Sequence, residues 1–241
     1  MKRVIDIALS VLGLVVLSPL LAIAMLLIWR QDGHSPLYKG RRVGKGSRSF
    51  HMIKLRSMAV NADSSGVVST SATDGRVTPI GRVVRRTKLD EAMQLWNVLE
   101  GDMSLVGPRP NVSEETRLYT QAERQLLAVR PGITDLASIV FSDESEILKD
   151  SSMPDLEYNQ LIRPWKSRLG LFYVANRSLW MDLQILWLTA RVLVDKPAAL
   201  RGVKRILAKH GADEQLISVC RRDAALYPYP PPGATEIVTH R

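Results

Sequence analysis

The run Arg85-Arg86-Thr87-Lys88-Leu89-Asp90-Glu91 sets two adjacent carboxylates directly behind a basic cluster. On a regular helix consecutive residues are turned by about 100°, so Asp90 and Glu91 would address one site from different directions. One carboxylate could act as nucleophile while the other binds a metal through oxygen. Neighbouring arginines suit phosphate oxygens, which they grip bidentately. The same run also reads as a solvated helix face with an i,i+4 salt bridge from Arg86 to Asp90. A second arginine, in Val106-Gly107-Pro108-Arg109-Pro110, lies between prolines that leave its guanidinium on a stiff, extended backbone.

Several elements must hold these groups. The glycine-punctuated stretch from Ser35 to Met58 predicts two short strands around a turn at Gly44-Lys45-Gly46, with Phe50, Ile53 and Leu55 toward a core and Lys54 and Arg56 toward a site. Residues 61–76 are small and polar, the composition of a loop. A helix is expected over Gly81 to Leu99, with Val84, Leu89, Met93, Leu95, Trp96 and Leu99 as its apolar positions. A polar helix over 113–129 should end at Arg130-Pro131-Gly132.

Val4 to Trp29 is a largely apolar stretch, and roughly 25 such residues span a bilayer core as a helix. A cleaved signal peptide fits poorly, because the apolar run continues beyond Ala22-Ile23-Ala24. A single straight span and a re-entrant helix both remain. Lys2-Arg3 precede the stretch and Arg30, Lys39, Arg41, Arg42 and Lys45 follow it, so the positive-inside bias favours the same side for both ends. Pro19 removes a backbone donor and predicts a kink, and Ser18 can return a hydrogen bond to a freed carbonyl. Leu179 to Val194, with Trp180 and Trp187, has the composition of an interfacial helix. Pro197 to His210 places Leu200, Val203, Ile206 and Leu207 opposite Arg201, Lys204, Arg205 and Lys209, as in a helix lying on anionic lipid or one covering an ordinary core. From Gly211 onward the chain reads as a Pro-rich, extended tail.

The net charge of +9 over 241 residues is unevenly spread. Residues 31–90 carry 12 basic and 4 acidic side chains, 91–160 carry 5 and 13, and 161–210 carry 10 and 2. Few aromatics interleave the first basic block, only Tyr38 and Phe50, which argues against a nucleic-acid surface. One cysteine excludes an internal disulfide framework and a Cys-cluster zinc site, and four scattered histidines lack ligand spacing.

Residues 85–110, RRTKLDEAMQLWNVLEGDMSLVGPRP, resemble the core signature of the bacterial sugar transferases, the monotopic phosphoglycosyl transferases. So do the opening KRVIDI with its mid-helix Ser18-Pro19, FHMIKLRSM at 50–58, RPGIT at 130–134 and SLWMDLQIL at 178–186, all in family order. The resemblance implies an α+β, mainly helical monotopic membrane protein, with a re-entrant N-terminal helix kinked at Ser18-Pro19, a small β-hairpin and interfacial amphipathic helices. It implies a membrane helix over 1–30, a catalytic unit over 31–210 and an extension over 211–241.

The implied reaction moves a sugar 1-phosphate from a UDP-sugar to a polyprenyl phosphate, usually undecaprenyl phosphate. UMP is released, and the product begins a surface glycan. The resemblance places Asp90 as nucleophile, forming an aspartyl-phosphosugar, and Glu91 as the partner carboxylate holding Mg²⁺. Lys54, Arg56, Arg85 and Arg109 fall on basic, substrate-binding positions. The expected location is the bacterial inner membrane, in contact with its lipids, with the site on the cytoplasmic face. The oligomeric state, a homodimer included, is open, and the contrasting reading is a non-catalytic membrane-anchored scaffold of the same fold. The chain departs from common family residues at Met93, at Asp135 and Ser138 after RPGIT, and at Gly170, which bears on donor contacts.

Overall fold

In the computed structural model, which describes residues 1–62 and 74–239, helix α1 (Lys2–Asp32) runs across Pro19 without interruption. Pro19 leaves the Val15 carbonyl without its main-chain donor, and the Ser18 hydroxyl supplies the missing hydrogen bond at 2.8 Å. One face of α1 is covered along its whole length. Asp6, Ser10, Leu21, Ala24 and Ile28 are buried, with Leu14 and Leu17 partly so, a 3-and-4 spacing that keeps one seam against the body. The opposite face exposes Val4, Leu12, Val15, Val16, Ile23 and Leu26. The helix is long and apolar enough to cross a membrane.

Both ends of α1 are fastened to the polar body. Lys2 donates to Asp182 at 2.6 Å and to the Val106 carbonyl at 3.1 Å. Asp6 accepts from the Ser104 hydroxyl, and Arg3 donates to the Leu99 carbonyl. At the other end Asp32 accepts both arms of Arg56 at 2.6 Å.

The strands β1 (Leu37–Val43) and β2 (Ser49–Leu55) form the expected antiparallel hairpin around Gly44-Lys45-Gly46. Alternation along β2 departs from expectation at one position: Met52 joins Phe50 in the main core, while Ile53 is only partly covered. Lys54 follows them on that face, and Leu55 points to the other, against Leu21, Ala24 and Ile28 of α1. Of the loop expected over 61–76, residues 63–73 lie outside the described residues.

The single helix expected over Gly81 to Leu99 is two. Helix α2 (Pro79–Arg86) starts on Thr78, whose hydroxyl accepts from Gly81 N, and α3 (Gln94–Glu100) follows after a break. Lys88, at φ 56°, causes the break, since a left-handed residue cannot continue a right-handed helix. Helix α3 packs along α1, and Asn97 pins it to the free edge of β2, accepting from Ile53 N and donating to the His51 carbonyl, each at 2.8 Å.

The strand β3 (Ser104–Val106) leads into the Pro-Arg-Pro segment. The polar helix expected over 113–129 is also divided, into α4 (Ser113–Arg117) and a 3₁₀ stretch Glu123–Ala128. Thr120 and Glu123 form a reciprocal capping box that restarts the second piece, Thr120 N to Glu123 Oε2 and Glu123 N to Thr120 Oγ1. The strand β4 (Gly132–Thr134) then pairs in parallel with β3.

Short helices α5 (Leu136–Val140), α6 (Glu144–Ile147) and α7 (Pro154–Glu157) precede a π-helical turn over Tyr158–Ile162 and the longer α8 (Arg163–Asn176). Helix α9 (Leu179–Val192) buries Met181, Ile185 and Leu188 and exposes Trp180, Leu183 and Trp187, the outward apolar face expected of it.

Helix α10 (Lys196–Lys209) is a correction. Its apolar residues Leu200, Val203, Ile206 and Leu207 are buried in the main core against α9 and α5, so it covers protein and turns only its basic face outward. The stretch after Gly211 is likewise not wholly extended: α11 (Glu214–Arg221) comes first and buries Leu216, Ile217 and Cys220. The fold is thus mainly helical, with a small antiparallel hairpin, a short parallel pair and one long apolar N-terminal helix.

Candidate active site

The turn after Lys88 places the carboxylates. Leu89–Glu91 is one 3₁₀ turn, with Leu89 buried against the α1 cluster. Asp90 and Glu91 are therefore not successive positions on an α-helical face, and among the described residues no salt bridge joins Arg86 to Asp90.

Glu91 meets three donors. Arg109 approaches as a fork, Nη2 to Oε1 at 2.7 Å and Nη1 to Oε2 at 2.9 Å, and Lys54 Nζ lies 3.2 Å from Oε1. Burial alone would raise the carboxyl pKa, but the Arg109 and Lys54 charges and hydrogen bonds reverse this and hold it well below the carboxylate range. Lys54 is shifted below its ordinary value by burial, partly countered by Glu91.

The fork depends on two glycines. Arg109 also donates to the Ile133 carbonyl at 2.6 Å, so β4 positions its guanidinium. A Cβ on Gly132 would stand 2.1 Å from Gly107 N, and one on Gly107 would stand 2.5 Å from the Arg130 carbonyl oxygen. The Gly-Pro-Arg-Pro and Arg-Pro-Gly-Ile-Thr segments approach this closely because neither glycine has a side chain.

Asp90 is 9 % exposed, and its buried Oδ1 has no hydrogen-bond partner among the described residues. Burial raises its carboxyl above the ordinary value; Glu91 adds to the shift, while Lys54, Arg85 and Lys88 oppose it. A carboxylate set among these cations has the chemistry of a nucleophile toward an anionic electrophile.

The structure brings Lys54, Arg85 and Arg109 around the dyad, with Arg85 fixed by a hydrogen bond from its Nε to Ser57 Oγ at 2.8 Å. It does not bring Arg56 there. That guanidinium is buried and committed to Asp32 and to the Ser35 carbonyl, so it fastens the end of β2 to the end of α1.

A cavity of about 870 Å³ opens beside Glu91, Lys54 and Arg109, within the size range of small-molecule sites. Leu17 of α1, Ala92, Leu95, Val192 and Leu193 give it an apolar wall. Asn111, Tyr119, Glu144, Tyr158, Arg163 and Lys166 give it a polar and aromatic one. Sequence reasoning missed this second wall, because its residues come from separate short elements with no common spacing.

The departures from the family pattern have structural counterparts. Asp135 caps α5, accepting from Ser138 N at 2.6 Å and Ser138 Oγ at 2.7 Å, and both residues line the cavity. Gly170 is a packing position, since a Cβ there would stand 2.7 Å from Leu126 Cδ2.

Residues 1–196 match the family described as bacterial sugar transferase, and the chain belongs to that family. It is 33 % identical over 199 residues, 80 % of its length, to the UDP-N-acetylgalactosamine-undecaprenyl-phosphate N-acetylgalactosaminephosphotransferase of Aeromonas hydrophila. It is 33 % identical over 217 residues, 83 % of its length, to the undecaprenyl-phosphate galactose phosphotransferase of Salmonella typhimurium. Against the UDP-glucose:undecaprenyl-phosphate glucose-1-phosphate transferase of Caulobacter vibrioides it is 34 % identical over 200 residues, 80 % of this chain and 69 % of that protein. The matched region makes up 43 % of the Aeromonas protein and 41 % of the Salmonella one, less than half of either.

Proposed function

We propose that this protein transfers a sugar 1-phosphate from a UDP-sugar to a polyprenyl phosphate, the first membrane-bound step of a surface glycan. The observation that carries the reading is the carboxylate pair Asp90-Glu91, in which Glu91 is clamped by Arg109 and Lys54 at the cavity. The relatives' names support the substrate classes, a nucleotide sugar and undecaprenyl phosphate.

The Asp90 carboxylate attacks the phosphorus bearing the sugar, the bond from that phosphorus to the bridging oxygen breaks, and UMP leaves with the electron pair. An oxygen of the polyprenyl phosphate then attacks the same phosphorus. The Asp90–phosphorus bond breaks, regenerating the carboxylate. Lys54, Arg85 and Arg109 neutralise phosphate charge in both steps, acting by position rather than by proton transfer. Arg56 acts at a distance, by holding the end of α1.

The donor set suits Mg²⁺, which is commonly held by one or two carboxylates together with substrate phosphates. Glu91 would hold it there together with the substrate phosphates, sharing oxygens that here accept from Arg109 and Lys54. When bound, it would supply further neutralisation of phosphate charge.

The domain reading follows the same line: 1–30 a membrane helix, 31–210 the catalytic unit and 211–241 an extension. Monotopic insertion is supported by α1, whose ends are both tied to the body, at Lys2–Asp182 and Asp32–Arg56. A straight helix of 31 residues is about 46 Å long, and a crossing would separate those ends by the bilayer. Re-entrant placement leaves the apolar faces of α1 and α9 in the lipid of the bacterial inner membrane. It sets the dyad on the cytoplasmic side at headgroup height.

The test offers purified protein UDP-glucose, UDP-galactose and UDP-N-acetylgalactosamine with undecaprenyl phosphate and Mg²⁺, measuring UMP release. Release with at least one donor, abolished by Asp90→Asn, is expected. No release with any donor would leave the scaffold reading in place. For insertion, cysteines introduced at positions 2 and 39 should label from the same side; labelling from opposite sides would mean a straight span.

A further inference from the structure

The C-terminal segment beyond the family match is built into the molecule. Tyr229 stacks on Trp165 at 4.5 Å between ring centres, with the Arg168 guanidinium 4.8 Å from the Tyr229 ring. Its main-chain N–H donates to the Gln160 carbonyl at 3.0 Å, and Gln160 Nε2 donates to the Val238 carbonyl at 2.7 Å. Between these points Pro231 and Pro232 are buried, and the Thr120 hydroxyl donates to the Pro232 carbonyl. Residues 229–238 thus form a strap with fixed contacts on two turns.

Those two turns carry Tyr119 and Tyr158, both on the polar wall of the cavity. They meet at a buried joint in which Arg163 donates to Glu123 at 2.7 Å and to the Leu118 carbonyl at 2.9 Å, while Ser167 donates to the other Glu123 oxygen. Thr120 is the residue after Tyr119, and Gln160 lies two after Tyr158. A strap holding Thr120 and Gln160 therefore ties the turns of the two tyrosines a second time, in addition to this joint.

We infer that residues 229–238 are a positioning strap for the nucleotide-sugar half of the cavity. The assignment rests on the proposed transferase reading, and on the contrast between the two walls. A polyprenyl chain suits the wall that includes Leu17, Leu95 and Leu193, which leaves the hydroxyl-rich soluble donor to the wall with Asn111, Tyr119 and Tyr158. Buried prolines stiffen the strap, so it holds the wall with little loss of chain entropy.

The test compares Tyr229→Ala and Thr120→Val with the ring-preserving Tyr229→Phe, all in the full chain. Donor KM should rise about fivefold or more in the first two, while kcat at saturating donor and the acceptor KM stay within about twofold. Tyr229→Phe should behave as wild type. Calorimetric titration with UDP separates this inference from the reading beneath it. Weaker UDP binding in Tyr229→Ala, in a protein that released no UMP, would support the strap and overturn the transferase reading. Unchanged donor KM and UDP affinity in Tyr229→Ala and Thr120→Val would overturn the strap, as would lower kcat and melting temperature at constant KM. A full chain that does not bind UDP would overturn both.

Discussion

Replacing Arg109 by lysine keeps the charge and removes the fork. Arg109 makes three hydrogen bonds, two to Glu91 and one to the Ile133 carbonyl, at 2.6 to 2.9 Å. An ammonium at the end of a flexible chain can keep one of these, and it cannot bridge both carboxylate oxygens and the carbonyl at once. Each charge-assisted hydrogen bond contributes about 1.5–3 kcal/mol when shielded. The Arg109 and Glu91 side chains retain 29 % and 24 % exposure, so solvent screening reduces the loss of two bonds to about 2 kcal/mol. The expected result is a melting temperature lower by about 4–8 °C. If Glu91 must keep its orientation during phosphoryl transfer, a comparable loss in kcat/KM is about 30-fold. Thermal unfolding in detergent and UMP release measure the two effects. A double-mutant cycle with Glu91→Gln gives the mechanism: in that background Arg109→Lys should have little further effect, a coupling of about 1–2 kcal/mol. Additive losses would refute the reasoning, because Arg109 would then act independently of Glu91.

Gly132→Ala should force β3 and β4 apart, since its Cβ meets the Gly107 main chain; a loss of about 3 kcal/mol or more and near-complete loss of UMP release are expected, and a variant that melts like wild type would contradict the close approach. Asp90→Asn should abolish UMP release and, in the metal-free protein, raise the melting temperature, because an elevated carboxylate pKa opposes folding at pH 7. The gap should close as the pH falls through the Asp90 pKa and the wild-type group becomes neutral; a variant less stable than wild type at pH 7 would contradict the buried, partnerless oxygen. Lys2→Ala should detach the first turn of α1 and lower the melting temperature by about 2–4 °C, with no shift expected if that end projects away from the body.

Much of this arrangement was legible in the residues. Alternation and Gly44-Lys45-Gly46 placed the hairpin, two prolines around Arg109 marked a rigid basic group, and Ser18 before Pro19 foretold the returned hydrogen bond. Other features were set by tertiary contacts that periodicity does not report. The apolar spacing from Val84 to Leu99 suits one helix, yet Lys88 takes a left-handed conformation and turns the carboxylates toward Lys54 and Arg109. The amphipathic pattern of α10 is the same whether lipid or protein covers it, and here α9 and α5 do. Arg56 carried the signature of a site residue, but its partner Asp32 lies 24 positions away at the far end of the apolar helix.

The central claim is that Asp90 itself takes up the sugar phosphate. Its most direct test incubates the protein with a UDP-sugar and labelled UMP in the absence of any lipid acceptor. Attack by Asp90 predicts that label passes into UDP-sugar, and that Asp90→Asn eliminates this exchange. UMP release only when polyprenyl phosphate is present, with no exchange in its absence, would contradict the account and assign the attack to the lipid phosphate.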